Sequence, residues 1–290
     1  MLTRSKLPTI VSLLACPDDG ADVVVIDDGV QCSRCRRIFK VYDNDIIEMM
    51  PSTMHTRSLY NDKYPAVVNR YWRSYTELFN EKYRRETTGA AWGAFESITH
   101  KNKMRKKKEL LIINGLMGKT KGILCDVSAG AGLVTIPSCK RFDIVINCDI
   151  SVNNLNYVYN KAKTEMIENI VFIRCDHLNL PIKKDSIAVA VAIDTLIYGR
   201  EHDVRLLNEM RRIIGSGGFS IIDISNKYHK LPFIDRPCYR YTMSEIKRVI
   251  KECGYENFIS KRFVQETDTL FRALIPATRF VMKMIKTASS

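Results

Sequence analysis

Hydrophobic positions along the chain follow two rhythms. From residue 122 onward, short β-branched runs alternate with amphipathic stretches, the pattern of a parallel sheet covered by helices on both faces. Runs at 123–127, 144–148, 171–174, 187–193 and 219–224 predict buried strands, and 153–163 and 203–214 predict two of the crossover helices. Such a doubly wound, Rossmann-like α/β fold holds its ligand at the carboxyl ends of the strands. Nearer the start, Val23-Val-Val-Ile26 predicts a strand and Asp27-Asp-Gly29 its turn. Between these regions Tyr60, Tyr64, Tyr71, Trp72, Tyr75, Phe79 and Tyr83 recur at helical steps and predict an aromatic stripe from about residue 65 to 86. The chain is thus expected to hold a small β module at 10–51, a helical connecting segment at 52–120 and a large domain at 121–290.

Composition narrows the class. With 290 residues, 46% hydrophobic and 27% charged, the chain is too apolar for a disordered protein. It has a mean hydropathy of -0.15 and no uninterrupted apolar stretch of about 18 residues, so it should be soluble with no transmembrane segment. The net charge of +13 favours acidic partners such as RNA, phosphorylated metabolites or an anionic bilayer surface. Thirteen basic against five acidic residues lie in 55–108, densest at Lys101-Asn-Lys-Met-Arg-Lys-Lys-Lys108. That run precedes Leu110-Leu-Ile-Ile113 and predicts the exposed start of an amphipathic helix, either a solvated face or a phosphate-binding one. Nine cysteines, most of them scattered singly, fit a reducing, cytoplasmic setting. Against this, Arg4 and Lys6 followed by the apolar 7–14 and Cys16 have the order of a short lipoprotein-type signal, although Pro8 interrupts the apolar run.

Cys16 has a second reading. Cys16-Pro-Asp-Asp19 and Cys32-Ser-Arg-Cys35 have the layout of two ligand-bearing knuckles joined by a hairpin, and tetrahedral zinc needs four such ligands. Asp19 stands where the second cysteine of the first knuckle is expected. The order Leu14-Ala-Cys-Pro17, Cys32-Ser-Arg-Cys35, Arg37-Ile-Phe-Lys-Val41 and Ile46-Ile-Glu-Met-Met-Pro51 resembles the small Trm112-like zinc-ribbon family. The resemblance implies a zinc site formed by Cys16, Asp19, Cys32 and Cys35.

The first strand of the large domain runs into Asp126-Val-Ser128-Ala-Gly130-Ala-Gly132, a small-residue turn that lets backbone amides approach a ligand. The next strand ends at Asp149, whose carboxylate can accept both hydroxyls of a ribose. A dinucleotide fingerprint wants a small residue where Thr135 stands, and Asp126 would lie in the region that a pyrophosphate approaches. S-adenosylmethionine has a ribose, no phosphate, and positive charge on its amino and sulfonium groups.

The arrangement resembles the class I S-adenosylmethionine-dependent methyltransferases of the UbiE-like kind (methyltransferase type 11). Asp126 to Gly132 matches the first motif with Ser128 in place of its first glycine, and Asp149 matches the ribose carboxylate. Cys175-Asp176-His177 matches the end of the third strand, and Leu180-Pro-Ile-Lys-Lys-Asp-Ser-Ile-Ala-Val189 matches the stretch before the fourth. Leu206 to Phe219 and Tyr241 to Tyr255 match the last motifs. The resemblance implies a seven-stranded sheet and a cofactor site of Asp126, Ser128, Gly130, Gly132, Asp149, Ile150, Asp176 and His177.

Methyl transfer from a sulfonium is an in-line displacement that alignment alone can accelerate. Where the acceptor bears a proton, Asp194, Tyr198 or His202 near the end of the fourth strand can assist its removal. A small or lipid-like acceptor fits the UbiE-like motifs and the apolar, basic stretch 270–285. An rRNA or tRNA acceptor, held through 101–108, and a non-catalytic adaptor are the alternatives. Pro237-Cys238 has the form of a cytosine C5 nucleophile but lies beyond the fifth strand.

Overall fold

The computed structural model describes residues 3–42, 45–53, 100–228, 239–263 and 279–286. The aromatic stripe at 60–83, the 89–94 stretch, Cys238 and the 270–278 part of the C-terminal stretch lie outside them.

Eleven strands and six helices are ordered along the described residues. They are α1 (Thr3–Val11), β1 (Val23–Ile26), β2 (Gly29–Cys32), β3 (Ile38–Lys40), β4 (Ile46–Glu48), α2 (His100–Met117), β5 (Ile123–Val127), α3 (Thr135–Ser138) and β6 (Ile144–Asp149). There follow α4 (Val152–Thr164), β7 (Ile170–Arg174), β8 (Ile187–Ala192), α5 (Arg200–Ile213), β9 (Ile214–Ser225), α6 (Met243–Glu252), β10 (Asn257–Phe263) and β11 (Arg279–Ile285). β1, β2 and β3 form a small antiparallel sheet. The large sheet has the order β10-β11-β9-β8-β5-β6-β7-β4, parallel from β9 to β4 with β11 antiparallel to both its neighbours.

Period-two burial explains why these runs are strands. In β5, Leu124 packs with α2 and Phe142 on one face while Cys125 and Val127 face the other. Val145 and Ile146, Val189 and Ala190, and Ile221 and Ile222 divide in the same way. α5 and α6 cover the face of Cys125; α2 covers the opposite face, and α4 packs on its far end through Leu155 and Val158. A Thr242–Glu245 capping box starts α6, satisfying two amides that its first turn leaves over.

Three sequence expectations change. The large sheet has eight strands, because β4, read as the end of the ribbon, pairs parallel with β7 from Ile46↔Phe172 to Glu48↔Arg174. Residues 279–285 are the sheet strand β11, with Val281, Met282 and Met284 buried and Phe280 and Ile285 partly buried. The apolar stretch 7–14 is packed: Leu7, Ile10 and Leu14 lie in the same core as Val23, Phe39, Ile146 and Ile173. The expected helix after the basic run is α2, with Lys107 exposed and Ile113, Leu116 and Met117 buried; the side chains of 101–106 lie outside the described residues. No helix among the described residues is long and apolar enough to cross a membrane.

Candidate functional site

The turn from β5 to α3 is built for close backbone approach. Ser128, Gly130 and Gly132 all have positive φ, at 57°, 53° and 71°. A Cβ on Gly132 would meet Val158 Cγ2 at 2.9 Å, whereas one on Gly130 would meet nothing within 4 Å. Gly132 is therefore small for packing, and Gly130 leaves open space at the strand ends. The Ala129 amide donates to the Cys148 carbonyl at 2.9 Å, pinning the turn over β6.

Asp126 and Asp149 sit beside that turn, both buried. Thr135 Oγ1 donates to Asp126 Oδ2 at 2.6 Å and itself receives Asn147 Nδ2 at 2.7 Å, which ties the start of α3 to two strands. Burial pushes the Asp126 carboxyl up to about 7, against the lowering effect of Thr135. Asp149 Oδ2 accepts from the Gly130 amide at 2.8 Å, and Oδ1 accepts from the Ser151 amide at 2.8 Å and Asn154 Nδ2 at 3.2 Å. A carboxylate has about four acceptor positions, so Asp149 retains room for a further donor on Oδ2. Asn147 Oδ1 and Asn154 Oδ1 are buried with no hydrogen-bond partner. Ile150 presents its carbonyl to Arg174 Nε at 3.0 Å. Asp176 is fully buried, and its Oδ1 accepts from the Leu178 amide at 2.9 Å.

Just beyond β8, Asp194 is ion-paired with Arg279, whose other end pairs with the buried Asp223. Its amide also donates to Asp223 Oδ1 at 2.7 Å. Held in this way, Asp194 anchors the end of β8 to β9 and β11 while its side chain stays 55% exposed. Tyr198 packs edge-on against His202, with ring centroids 4.7 Å apart.

His177 and His202 were expected to act separately, but they meet. Ser128 Oγ lies 2.8 Å from His177 Nδ1, His177 Nε2 lies 2.8 Å from His202 Nε2, and His202 Nδ1 lies 2.9 Å from Asp203 Oδ1. Tyr241 OH donates to Asp203 Oδ2 at 2.6 Å. Burial lowers His177 to about 3 and His202 to about 4, so both rings are neutral near pH 7. Burial raises Asp203 to about 7, with Tyr241 and the Gly199 and Tyr198 amides working the other way. The sequence reading missed Asp203 and Tyr241, because 38 residues separate them and no motif links a helix residue to the position before a cap.

Away from this site, Cys16, Asp19, Cys32 and Cys35 bring one ligand atom each within 4.8 Å of one another. Cys16 Sγ and Cys35 Sγ are 3.8 Å apart, and Cys32 Sγ lies 3.5 and 3.6 Å from the two Asp19 oxygens. Two sulfurs on tetrahedral zinc with 2.3 Å bonds stand about 3.8 Å apart, and a sulfur and an oxygen about 3.6 Å. The amides of Arg34 and Cys35 both donate to Cys32 Sγ at 3.3 Å. Burial works to raise the Cys32 thiol, but these amides outweigh it and lower it; burial lifts Cys16 to about 12.

Residues 124–218 match the family model described as a methyltransferase domain. No curated protein matches by sequence. Among solved structures, Haemonchus contortus phosphoethanolamine N-methyltransferase 2, in complex with phosphomonomethylethanolamine and S-adenosylhomocysteine, superposes with a TM-score of 0.53 at 13% identity, covering 71% of this chain and 59% of that one. In its S-adenosylmethionine complex the coverage of that enzyme is 53%, so this chain spans little more than half its length. A Thermotoga maritima S-adenosylmethionine-dependent methyltransferase is matched over its whole length, with 74% of this chain covered, 17% identity and a TM-score of 0.51. A chain from the complex between the Haloferax volcanii Trm112 methyltransferase activator and its putative methyltransferase is matched over 97% of its length, with 67% of this chain covered, 12% identity and a TM-score of 0.52. Residues 124–218, about a third of the chain, thus match a methyltransferase domain, and the chain shares the fold of these solved S-adenosylmethionine-dependent enzymes.

Proposed function

We propose that the chain transfers a methyl group from S-adenosylmethionine, bound over the carboxyl ends of β5 and β6, directly to a small or lipid-like acceptor lying toward β8. The observation that carries this reading is the open space at Gly130 beside two buried carboxylates and two orphaned amide oxygens. A cationic, phosphate-free nucleoside supplies what those groups lack: hydroxyl and ammonium donors, and positive charge beside Asp126. Asp149 Oδ2 takes a ribose hydroxyl, Gly130 and Gly132 let the backbone close on the ligand, and Ser128 marks the boundary with the acceptor. Ile150 lines the ribose side through its backbone, and Asp176 acts by holding the 176–178 turn. When bound, the donor supplies an activated methyl group on sulfur. The chain's residues then need only to align the acceptor and take its proton.

The phosphoethanolamine enzyme's small ligand supports a small acceptor for this fold. The basic run on α2 supports RNA instead, and that reading predicts binding that weakens steeply as salt rises. Calorimetry with S-adenosylmethionine and S-adenosylhomocysteine on the full chain tests donor binding; absence of heat with both leaves only the adaptor reading. Tritium from the labelled donor, followed into organic-soluble and RNA fractions of a cell extract, then decides between acceptors. Appearance of label in RNA would overturn the small-acceptor proposal.

The knuckle distances and the two amide bonds to Cys32 support zinc held by Cys16, Asp19, Cys32 and Cys35. Metal analysis of the purified chain should find about one equivalent, and Asp19→Ala should lower that occupancy while Asp19→Cys retains it.

A further inference from the structure

Ser128, His177, His202, Asp203 and Tyr241 form one unbroken hydrogen-bonded line from the donor turn into the core. Ser128 and His177 are half-buried, whereas His202, Asp203 and Tyr241 are 4%, 0% and 1% exposed. Two imidazole nitrogens facing each other at 2.8 Å must share one proton between neutral rings, so the tautomer of one ring dictates that of the other. With Asp203 ionised, His202 carries its proton on Nδ1, His177 carries its proton on Nε2, and Ser128 Oγ donates to His177 Nδ1. With Asp203 protonated, every one of these donors reverses.

Resting on the methyl-donor reading above, we propose that this line is a proton relay, with Ser128 receiving the proton of an O–H or N–H acceptor and Asp203 storing it. The transfer balances. The acceptor forms its bond to the methyl carbon as the carbon–sulfur bond breaks and the electron pair stays on sulfur. The acceptor's proton moves to Ser128 Oγ as Ser128 gives its own to His177 Nδ1. His177 Nε2 gives a proton to His202 Nε2, and His202 Nδ1 gives one to Asp203 Oδ1. No imidazolium forms, and Tyr241 donates to Asp203 Oδ2 before and after. Neutral rings and a carboxyl near 7 suit this direction of travel. Among the described residues, the charged and titratable groups around the line are Asp176 after β7, Arg200 and Arg205 on α5, and the Tyr198, Tyr239 and Tyr241 phenols. Ser128 is the catalytic residue, and the other four position and drain its hydroxyl.

The relay is tested by nitrogen NMR of the full chain labelled at its five histidines, with His177→Gln and His202→Gln variants for assignment. Between pH 5.5 and 8.5, His202 should pass from the Nε2–H to the Nδ1–H form and His177 from Nδ1–H to Nε2–H, with a shared midpoint. Asp203→Asn should abolish the exchange, and Tyr241→Phe should move the midpoint upward because a donor to the carboxylate is lost. Ser128→Gly, which suits the positive φ and keeps the fold, should slow label transfer about 100-fold. Either ring holding one tautomer throughout, or turning into imidazolium near pH 6.5, overturns the relay. The same samples titrated with S-adenosylmethionine keep the two readings apart: absent heat condemns donor binding, whereas a static tautomer with normal heat condemns the relay alone.

Discussion

Asp126 and Asp149 lie on the neighbouring strands β5 and β6, yet their surroundings give them different work. Asp126 is neutralised by burial to about 7 and bonded to Thr135, so it ionises within the working range of pH. On folding it retains a proton that an ordinary carboxyl near 3.9 has lost. Its contribution to stability is therefore full below about pH 4 and is lost as pH rises through about 7. A cation placed beside it reverses the preference. The affinity for S-adenosylmethionine should rise from pH 6 to pH 8, and Asp126→Asn should flatten that rise in calorimetric titrations. Asp149→Asn should weaken the same ligand roughly 10-fold or more, since a charge-assisted hydrogen bond contributes about 1.5–3 kcal/mol. Both carboxylates were legible as residues in the sequence because strand ends and turn glycines are local. The three donors already on Asp149 were not, since Asn154 and Ser151 announce themselves only once α4 has begun.

Among the elements, the strands of the large domain were readable because period-two burial is written residue by residue, as in Leu124 and Cys125. The strand β4 was not, for a reason that is again physical: Ile46-Ile-Glu48 reads as a short apolar end to the ribbon, and its partner β7 lies more than a hundred residues later. The histidine line was missed in the same way, since it joins a turn, a loop and two helix starts. Glu48 and Arg174 reinforce the β4 pairing with a forked ion pair at 3.0 and 3.1 Å. Ile47, fully buried in the core shared by module and domain, carries more weight. Ile47→Ala should cost about 2–4 kcal/mol, read as a downward shift of a single denaturation curve followed by tryptophan-independent circular dichroism. Two separate transitions, with the catalytic one unmoved, would show the module to be an appendage.

At the scale of the molecule, the thiol cluster and the turn after β5 belong to one body. The core that holds Cys16 and Cys32 also holds Ile146, Ile173 and Leu206, and Ala15 and Lys183 exchange backbone bonds with the opposite segments. With zinc in the cluster as proposed, a chelator should therefore lower the melting temperature of the large domain as well, and S-adenosylmethionine, by binding the folded state as proposed, should restore part of it.

A naked parallel border is an invitation for foreign strands to stack. Here β4 closes that flank from within the same polypeptide, so a fragment shorn of its first ninety-nine residues would expose the hydrogen-bonding rim of β7 along Ile170–Arg174. Such a remnant is expected to cluster with copies of itself or to recruit a separate small protein as a substitute selvedge; the intact chain brings its own hem.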